Sequence, residues 1–320
     1  IRDDLGLDEL ADMHRIQIVA LYAGAVFPLE LVYDGQPPEE GATLCTAWTD
    51  APVGGDCPNC TDLGDTSVVC PQRFWALSKH IEHHHPESGA TDPVSAPFVA
   101  REHFRDGSPI PAPTRALVGA SVEVYNALRV SPDDPDADAA ARIEALGEAF
   151  ADVVSVVRTF GECDVAADWD DWKAAIAAGG PGLLIAMPHQ AGDSVTEASL
   201  EMGGAAETTF VERHIRTPGA TPGPIVLLLG CDTSNAPTLL SSFASRMRKY
   251  APVVVATIGR VIAAEAPHVA ATVVRHLRTA AEADSGVAAA LIAARRELLA
   301  ESRLVGLQLI AHGDARWDFG

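Results

Sequence analysis

The chain has 320 residues, an apolar fraction of 48 % and a formal net charge of −21 at pH 7. This length suits one large α/β domain with an additional lobe, and the apolar fraction is that of a globular protein rather than a disordered one. The negative charge argues against nucleic acid or an anionic membrane as a partner, since a field of that sign repels both. No apolar stretch reaches the roughly 18 to 20 residues that a membrane-spanning helix needs.

Residues 1–112 are predicted to form an N-terminal part that is rich in Cys, His, Pro and Gly and gives only scattered secondary-structure signals. The chain begins with Ile1 rather than methionine, and we expect it to be a piece of a longer protein. A Pro-rich linker at 108–113 leads into more regular sequence. The elements predicted in this part are strands at 17–25 and 28–33 and a short helix at 73–83.

Four of the six cysteines fall in this N-terminal part, in a Cys-rich insertion: Cys45, Cys57, Cys60 and Cys70. The middle two form a Cys-x2-Cys knuckle, and four thiolates can close a tetrahedral structural zinc site that gives folding energy to a loop. Two alternatives stay open. An outer cysteine could be replaced by His80, His83, His84 or His85, or the four could be free thiols in a surface insertion.

From residue 113 onward, apolar runs and helical patterns alternate, which is typical of a parallel sheet with helical connections. The sequence therefore predicts an α/β fold with a mainly parallel sheet and helices on both faces. The predicted elements are strand 115–120, helix 137–150, strand 153–158, helix 169–178, strand 182–187, a hairpin of 199–201 with 208–215, strand 224–229, helix 237–249, strand 252–257, helices 261–281 and 285–301, and strand 307–311.

Two of these strands end at reactive side chains. The strand at 182–187 is followed by Pro188 and His189, and the strand at 224–229 is followed by Gly230 and Cys231. Both runs are short and apolar at almost every position, which is typical of strands covered on both faces. Because active-site residues of open α/β sheets gather at the carboxyl ends of the strands, we expect His189 and Cys231 to meet there as a Cys–His pair.

Residues beside this pair are candidates for binding a peptide substrate. Gly230 lets the backbone approach a substrate closely, and the Cys231 amide is a natural donor to an oxyanion. A second amide near Gln190 would assist it. The carboxylates of Asp193 and Asp232 flank the site and could select a basic side chain.

Several segments of the chain resemble the CHAT family of caspase-like cysteine proteases, which are related to caspases and separases. They cover most of the chain from about residue 17 onward, in matching order and spacing. They include FPLELVYD at 27–34, CPQRFWAL at 70–77, the strand and histidine at 183–189, LLGCDT at 228–233, the strand–helix run at 251–277 and the tail around 309–319.

The resemblance implies a caspase-like protease domain at 113–320, with possible pseudo-caspase strands in the N-terminal part. It assigns Cys231 as the nucleophile and His189 as the general base and acid. Gln190 departs from the pattern, because such families usually place a glycine directly after the histidine. The resemblance also implies a regulated effector of cell-death or antiphage type, released by a sensor module outside this chain.

The function predicted from the sequence is a cysteine endopeptidase that cleaves a protein or peptide substrate. The sparse cysteines suit the reducing cytoplasm. An alternative from another class is a catalytically silent caspase-like scaffold whose zinc-bearing part binds a partner. A nucleotide-binding domain is disfavoured, because no Gly-rich phosphate loop follows the strands.

Overall fold

The computed structural model describes residues 13–19, 28–52, 55–60, 62–84, 112–121, 137–191, 199–207, 214–215, 223–230, 244, 247, 250–259, 261, 265–313 and 319. No helix in these ranges is both long enough and apolar enough to cross a membrane.

Eight strands of the described residues form the main sheet. Their spatial order is β1 (Arg15–Val19), β4 (His80–His84), β13 (Leu309–Gly313), β12 (Val253–Thr257), β11 (Ile225–Leu228), β7 (Leu183–Met187), β5 (Arg115–Ala120) and β6 (Glu162–Ala166). All neighbouring pairs in this sheet are parallel except β12 with β13. Two smaller sheets consist of β2 (Thr43–Leu44) with β3 (Val68–Val69), and of β8 (His189–Ala191), β9 (Ser199–Met202) and β10 (Ala205–Glu207).

Helices lie on both faces of the main sheet, as the sequence predicted. They are α1 (Trp75–Ser78), α2 (Ala137–Arg158), α3 (Trp169–Ala177), α4 (Glu265–Glu282) and α5 (Val287–Ala300). Successive side chains of a strand point to opposite faces. Ile185 and Leu227 accordingly pack in the core beneath α2, α4 and α5, whereas Leu184 and Val226 pack against α3. This double coverage is why the central strands are apolar at every position.

The N-terminal part contributes strands to the same sheet, with β4 pairing directly with β13. A buried polar cluster joins the two parts. Glu30 lies in the 3₁₀ turn Leu29–Leu31, and its carboxylate is 3.0 Å from His83 Nε2 and 3.6 Å from Arg295 of α5. All three side chains are at most 1 % exposed. Arg295 also donates to the carbonyl oxygens of Ala76 and Leu309.

Three predicted elements were wrong. The strand at 153–158 is the end of α2, because Val153 and Val157 lie one helical turn apart and pack into the core. The helix at 73–83 is a 3₁₀ turn, the single turn α1 and then β4, while the strand at 28–33 is a 3₁₀ turn followed by an isolated bridge.

Other predicted elements differ in their bounds. The hairpin pairs β9 with β10, and residues 208–213 of its predicted second strand lie outside the described residues. The helices predicted at 261–281 and 285–301 are α4 and α5. Most of the helix predicted at 237–249, and residues 20–25 of the first predicted strand, lie outside the described residues.

Candidate functional site

His189 lies where the chain leaves the carboxyl end of β7. Pro188 separates it from β7, and the histidine begins β8 in the three-stranded sheet. The side chain is partly buried. Its Nδ1 atom is buried and has no hydrogen-bond partner among the described residues. A buried ring nitrogen without a partner is costly, and such groups are often found at functional sites.

Two tryptophans of α3 donate hydrogen bonds to this region, and Trp169 binds the small sheet that contains His189. Trp169 Nε1 donates to the Leu200 carbonyl of β9 at 2.8 Å, and β9 pairs with β8 so that Glu201 is opposite His189. Trp172 Nε1 donates to the His214 carbonyl at 2.8 Å. Both indoles are buried, and α3 is capped by Asp168, whose carboxylate accepts from the amides at 170 and 171.

Glycines allow this small sheet to lie close against the end of β5. The amide of Gly203 donates to the Ala120 carbonyl at 3.2 Å, and Gly203 has φ of +58°. A Cβ atom at this position would lie 1.7 Å from the Ala167 carbonyl oxygen. At Gly119 in β5, a Cβ atom would lie 2.5 Å from Met202 Sδ. The position of β8 therefore depends on close contacts at these two glycines.

The strand predicted to carry the nucleophile is β11, which pairs in parallel with β7. Ile225 pairs with Leu183 and Leu228 with Ala186, so each residue pairs with the residue 42 positions earlier. Gly230 is described and buried. Cys231, Asp232 and Asp193 lie outside the described residues, and of Gln190 only the backbone, in β8, is described.

The four cysteines of the N-terminal part come together in one cluster. The Sγ atoms of Cys45, Cys57, Cys60 and Cys70 all lie within 4.8 Å of one another. Cys45 Sγ and Cys57 Sγ are 3.7 Å apart. A tetrahedral zinc tetrathiolate with bonds of 2.3 Å has sulfur–sulfur edges of about 3.8 Å. The arrangement can hold a metal ion, and among the described residues the group consists of cysteines alone. His85, one of the histidines considered as a replacement, lies outside the described residues.

Short backbone pairings explain why widely spaced cysteines converge. β2 and β3 pair in parallel, and Cys45 and Cys70 follow directly after them. The Cys45 amide donates to the Val69 carbonyl at 2.9 Å, and the Cys60 amide donates to the Cys57 carbonyl at 3.2 Å within the knuckle. The outer spacings are therefore set by the parallel pair of strands.

Burial and the neighbouring thiols shift the pKa values of these cysteines in different directions. Burial, assisted by the neighbouring thiols, raises the pKa of Cys60, and burial raises that of Cys70 to about 11. For Cys45, burial acts in the same direction, but hydrogen bonds from Cys60 and the other thiols outweigh it and lower its pKa. A bound metal would displace the thiol protons.

The Cys cluster is attached to α5 through Arg296. This guanidinium donates to the carbonyl oxygens of Thr49 at 3.1 Å and Ala51 at 2.7 Å, and also to Gln72 Oε1. It lies 5.6 Å from the centre of the Trp48 ring. The cysteine-rich insertion is thus a packed part of the fold rather than a loose surface loop.

Sequence reasoning treated the two tryptophans of α3 only as the start of a helix. Trp169 and Trp172 form an edge-to-face pair with ring centres 5.8 Å apart, and Trp169 makes the same contact with His214 at 5.6 Å. A Trp-x2-Trp spacing at a helix start places both indoles on one face. That signal was present, but nothing in the sequence identified the partner strand.

No protein-family model and no curated protein matches this sequence. Among solved structures, the chain is similar to gingipain R, an Arg-specific cysteine proteinase, with a TM-score of 0.43 and 9 % identity. The match covers 76 % of this chain and 56 % of that chain, so this chain matches little more than half of that proteinase.

Proposed function

We propose that this chain is a caspase-like cysteine endopeptidase of the CHAT type, with Cys231 as the nucleophile and His189 as the general base and acid. The observation that carries the proposal is the register between β7 and β11. Paired residues differ by 42 positions, and Cys231 follows His189 by the same number. Three positions separate the last pair of this ladder, Ala186 with Leu228, from His189 and Cys231.

The environment of His189 supports this role. Its strand is fixed by the contacts of Trp169 and Gly203, so the imidazole is held on rigid structure, as a general base requires.

The strand order also supports a catalytic role for His189. In chain order, β5, β6, β7, β11 and β12 have the doubly wound arrangement 2-1-3-4-5, whose crevice opens beside the third strand. His189 follows that third strand, β7.

The proposed reaction proceeds through an acyl-enzyme. The Cys231 sulfur, deprotonated by His189, attacks the scissile carbonyl carbon, and the oxyanion is stabilised by the Cys231 amide and an amide near Gln190. The C–N bond breaks as the imidazolium gives its proton to the leaving amine. Water, deprotonated by His189, then attacks the thioester and releases the thiol and the carboxylic acid.

Other features of the proposal rest on the sequence resemblance. Gly230 would allow close approach of the substrate backbone, and Asp193 and Asp232 would favour a basic side chain. We assign the chain to the cytoplasm and to a regulated antiviral or cell-death pathway, controlled by a module outside it. The domain boundary at 112, with a protease domain at 113–320, stays a prediction.

We also propose that the Cys cluster binds structural zinc. The fit of the sulfur separations to a tetrahedral site supports zinc, and four thiolates leave no open position for a substrate. The alternative function, a silent scaffold with a zinc-bearing binding surface, uses the same cluster but requires no cleavage.

Three substitutions test the peptidase proposal against the scaffold. Cys231→Ala and His189→Ala should each abolish cleavage of a protein substrate while the circular dichroism spectrum is unchanged, because the two groups act as one unit. Cys163→Ser is the matched control. Cys163 lies in β6, and burial raises the pKa of its thiol, which disfavours a nucleophilic thiolate. Cleavage that survives Cys231→Ala, or wild-type protein that cleaves nothing with its activator present, would contradict the proposal.

A further inference from the structure

A cavity of about 240 Å³ lies against the Cys cluster, away from the elements that carry His189. Its polar lining includes His14, Asp34, Asp56, Arg73, Ser78 and Lys79. The volume corresponds to about eight water molecules at roughly 30 Å³ each, which suits a ligand of amino-acid size.

Arg73 is the unusual member of this lining. The side chain is only 8 % exposed. Its Nη2 atom donates to the backbone carbonyl oxygens of Cys60 and Asp62, which fix the guanidinium in place. Its Nε and Nη1 atoms are buried and have no hydrogen-bond partner among the described residues. The guanidinium is thus fixed through Nη2. Its other three N–H groups, one on Nε and two on Nη1, have no hydrogen-bond partner among the described residues.

Arg73 has no close ion pair among the described residues, although its charge reaches the carboxylate of Asp65 at longer range. No carboxylate oxygen of a described residue lies within 4.0 Å of its nitrogens. Elsewhere in this protein the buried guanidinium of Arg295 has Glu30 beside it. Buried charges in proteins are normally paired, because an unpaired one loses its hydration without compensation. The unused donors of Arg73 are therefore available to an anionic group of a ligand.

The remaining lining limits what that ligand can be. Asp34 and Asp56 border the same cavity and offset the charges of Arg73 and Lys79, so the lining has no excess positive charge for a multiply charged anion such as phosphate. The net charge of −21 acts in the same direction. A zwitterion avoids both penalties, since its carboxylate can pair with Arg73 while its ammonium group faces the aspartates.

We propose that this cavity is a binding site for a small zwitterion with a carboxylate and an ammonium group, such as a free α-amino acid, held by Arg73 through its carboxylate. The site is independent of the proposed peptidase activity, so its test measures binding rather than cleavage.

The test is isothermal titration calorimetry of the intact chain with glycine, L-alanine, L-glutamate and L-lysine as probes. Acetate, methylammonium and inorganic phosphate are the single-function comparisons. At least one amino acid should give a saturable isotherm, with acetate and methylammonium at least about tenfold weaker, because a charge-assisted hydrogen bond is worth about 1.5–3 kcal/mol, which corresponds to tenfold or more in affinity. Absence of binding by every amino acid, or tighter binding of phosphate, would overturn the proposal.

Variants then assign the two ends of the ligand. Arg73→Gln should weaken amino-acid binding by about tenfold or more, and circular dichroism shows whether it folds. If Arg73→Gln does not fold, Asp56→Asn tests the site in its place, because Asp56 is exposed and should tolerate the change. That variant should weaken amino-acid binding several-fold and leave acetate binding unchanged. The matched control is Asp50→Asn, an exposed aspartate outside the cavity lining, which should bind as the wild type does. Equal affinity of Asp56→Asn and Asp50→Asn, or wild-type affinity of a folded Arg73→Gln, would also overturn the proposal.

Discussion

Glu30 and His83 lie 3.0 Å apart, carboxylate to Nε2, inside the protein, although 53 positions separate them in the chain. With Arg295 they form one buried polar cluster, which connects the 3₁₀ turn Leu29–Leu31 and β4 of the N-terminal part to α5. Because the Arg295 charge is enclosed, the cluster is stable only when its carboxylate is present.

Glu30→Gln should therefore lower the free energy of unfolding by about 3–5 kcal/mol, since the amide leaves the buried Arg295 cation without its counter-charge. Urea denaturation monitored by circular dichroism would measure the change. Glu162→Gln is the control, because the Glu162 side chain is 82 % exposed and its nearest cation is 3.8 Å away. Equal stability of the two variants would show that Glu30 is not needed for charge balance.

Gly203→Ala should destabilise the protein by about 2 kcal/mol or more and reduce peptidase activity in the molecules that remain folded. The added Cβ atom would clash with the Ala167 carbonyl oxygen and push β9, and with it β8 and His189, away from β5. Thermal unfolding and cleavage assays at a temperature below the transition would separate the two effects.

The control for this change is Gly179→Ala. Gly179 also has a positive φ, +103°, but no atom lies within 4 Å of the position of its Cβ. Its substitution introduces backbone strain without a clash. If Gly179→Ala reduced activity as much as Gly203→Ala does, the contact with Ala167 would not be the cause.

Acid should destabilise the protein partly through His80. Burial, with the charge of Arg15 adding to it, lowers the pKa of this imidazole below the usual 6.5. As the pH falls below about 6.5, the unfolded chain binds a proton on this imidazole more readily than the folded chain does. The free energy of unfolding therefore decreases in this range. His80→Gln should flatten the pH dependence of the free energy of unfolding in this window. Identical slopes for variant and wild type would contradict this assignment.

Freshly purified protein should contain one zinc ion per chain, as elemental analysis would measure. A strong chelator should lower the melting temperature, because metal binding contributes to folding where regular structure is sparse. Cys57→Ser should abolish the metal and reproduce the effect of the chelator. Cys163→Ser, outside the cluster, should retain the full zinc content. Metal-free protein with an unchanged melting temperature would contradict the prediction of a structural zinc site.

The sequence predicted the central strands well because each is recognisable from its own residues. Residues 183–187 and 225–228 are apolar at every position, and only a strand covered on both faces combines that pattern with so short a length. The placement of His189 at the end of such a strand followed from the same pattern.

Other elements could not be predicted because their conformation depends on distant residues. The valines at 153 and 157 favour a strand locally, but they extend α2 because α4 covers them. The segment at 80–84 contains three histidines and a glutamate, which do not indicate a buried strand. It is buried because β1 and β13 lie on either side of it, while Glu30 contacts His83 and Gln17 Nε2 donates to the Glu82 carboxylate.

The pairing of β4 with β13 has a consequence for any shortened form of this protein. All five residues of β13 are buried, and their outer side is covered by a strand from the N-terminal part. A fragment that starts at residue 113 would expose this apolar edge and would lose the Ala76 carbonyl that Arg295 contacts. An exposed apolar edge is a template for another copy of the same strand, so such a fragment would aggregate rather than act as a minimal enzyme.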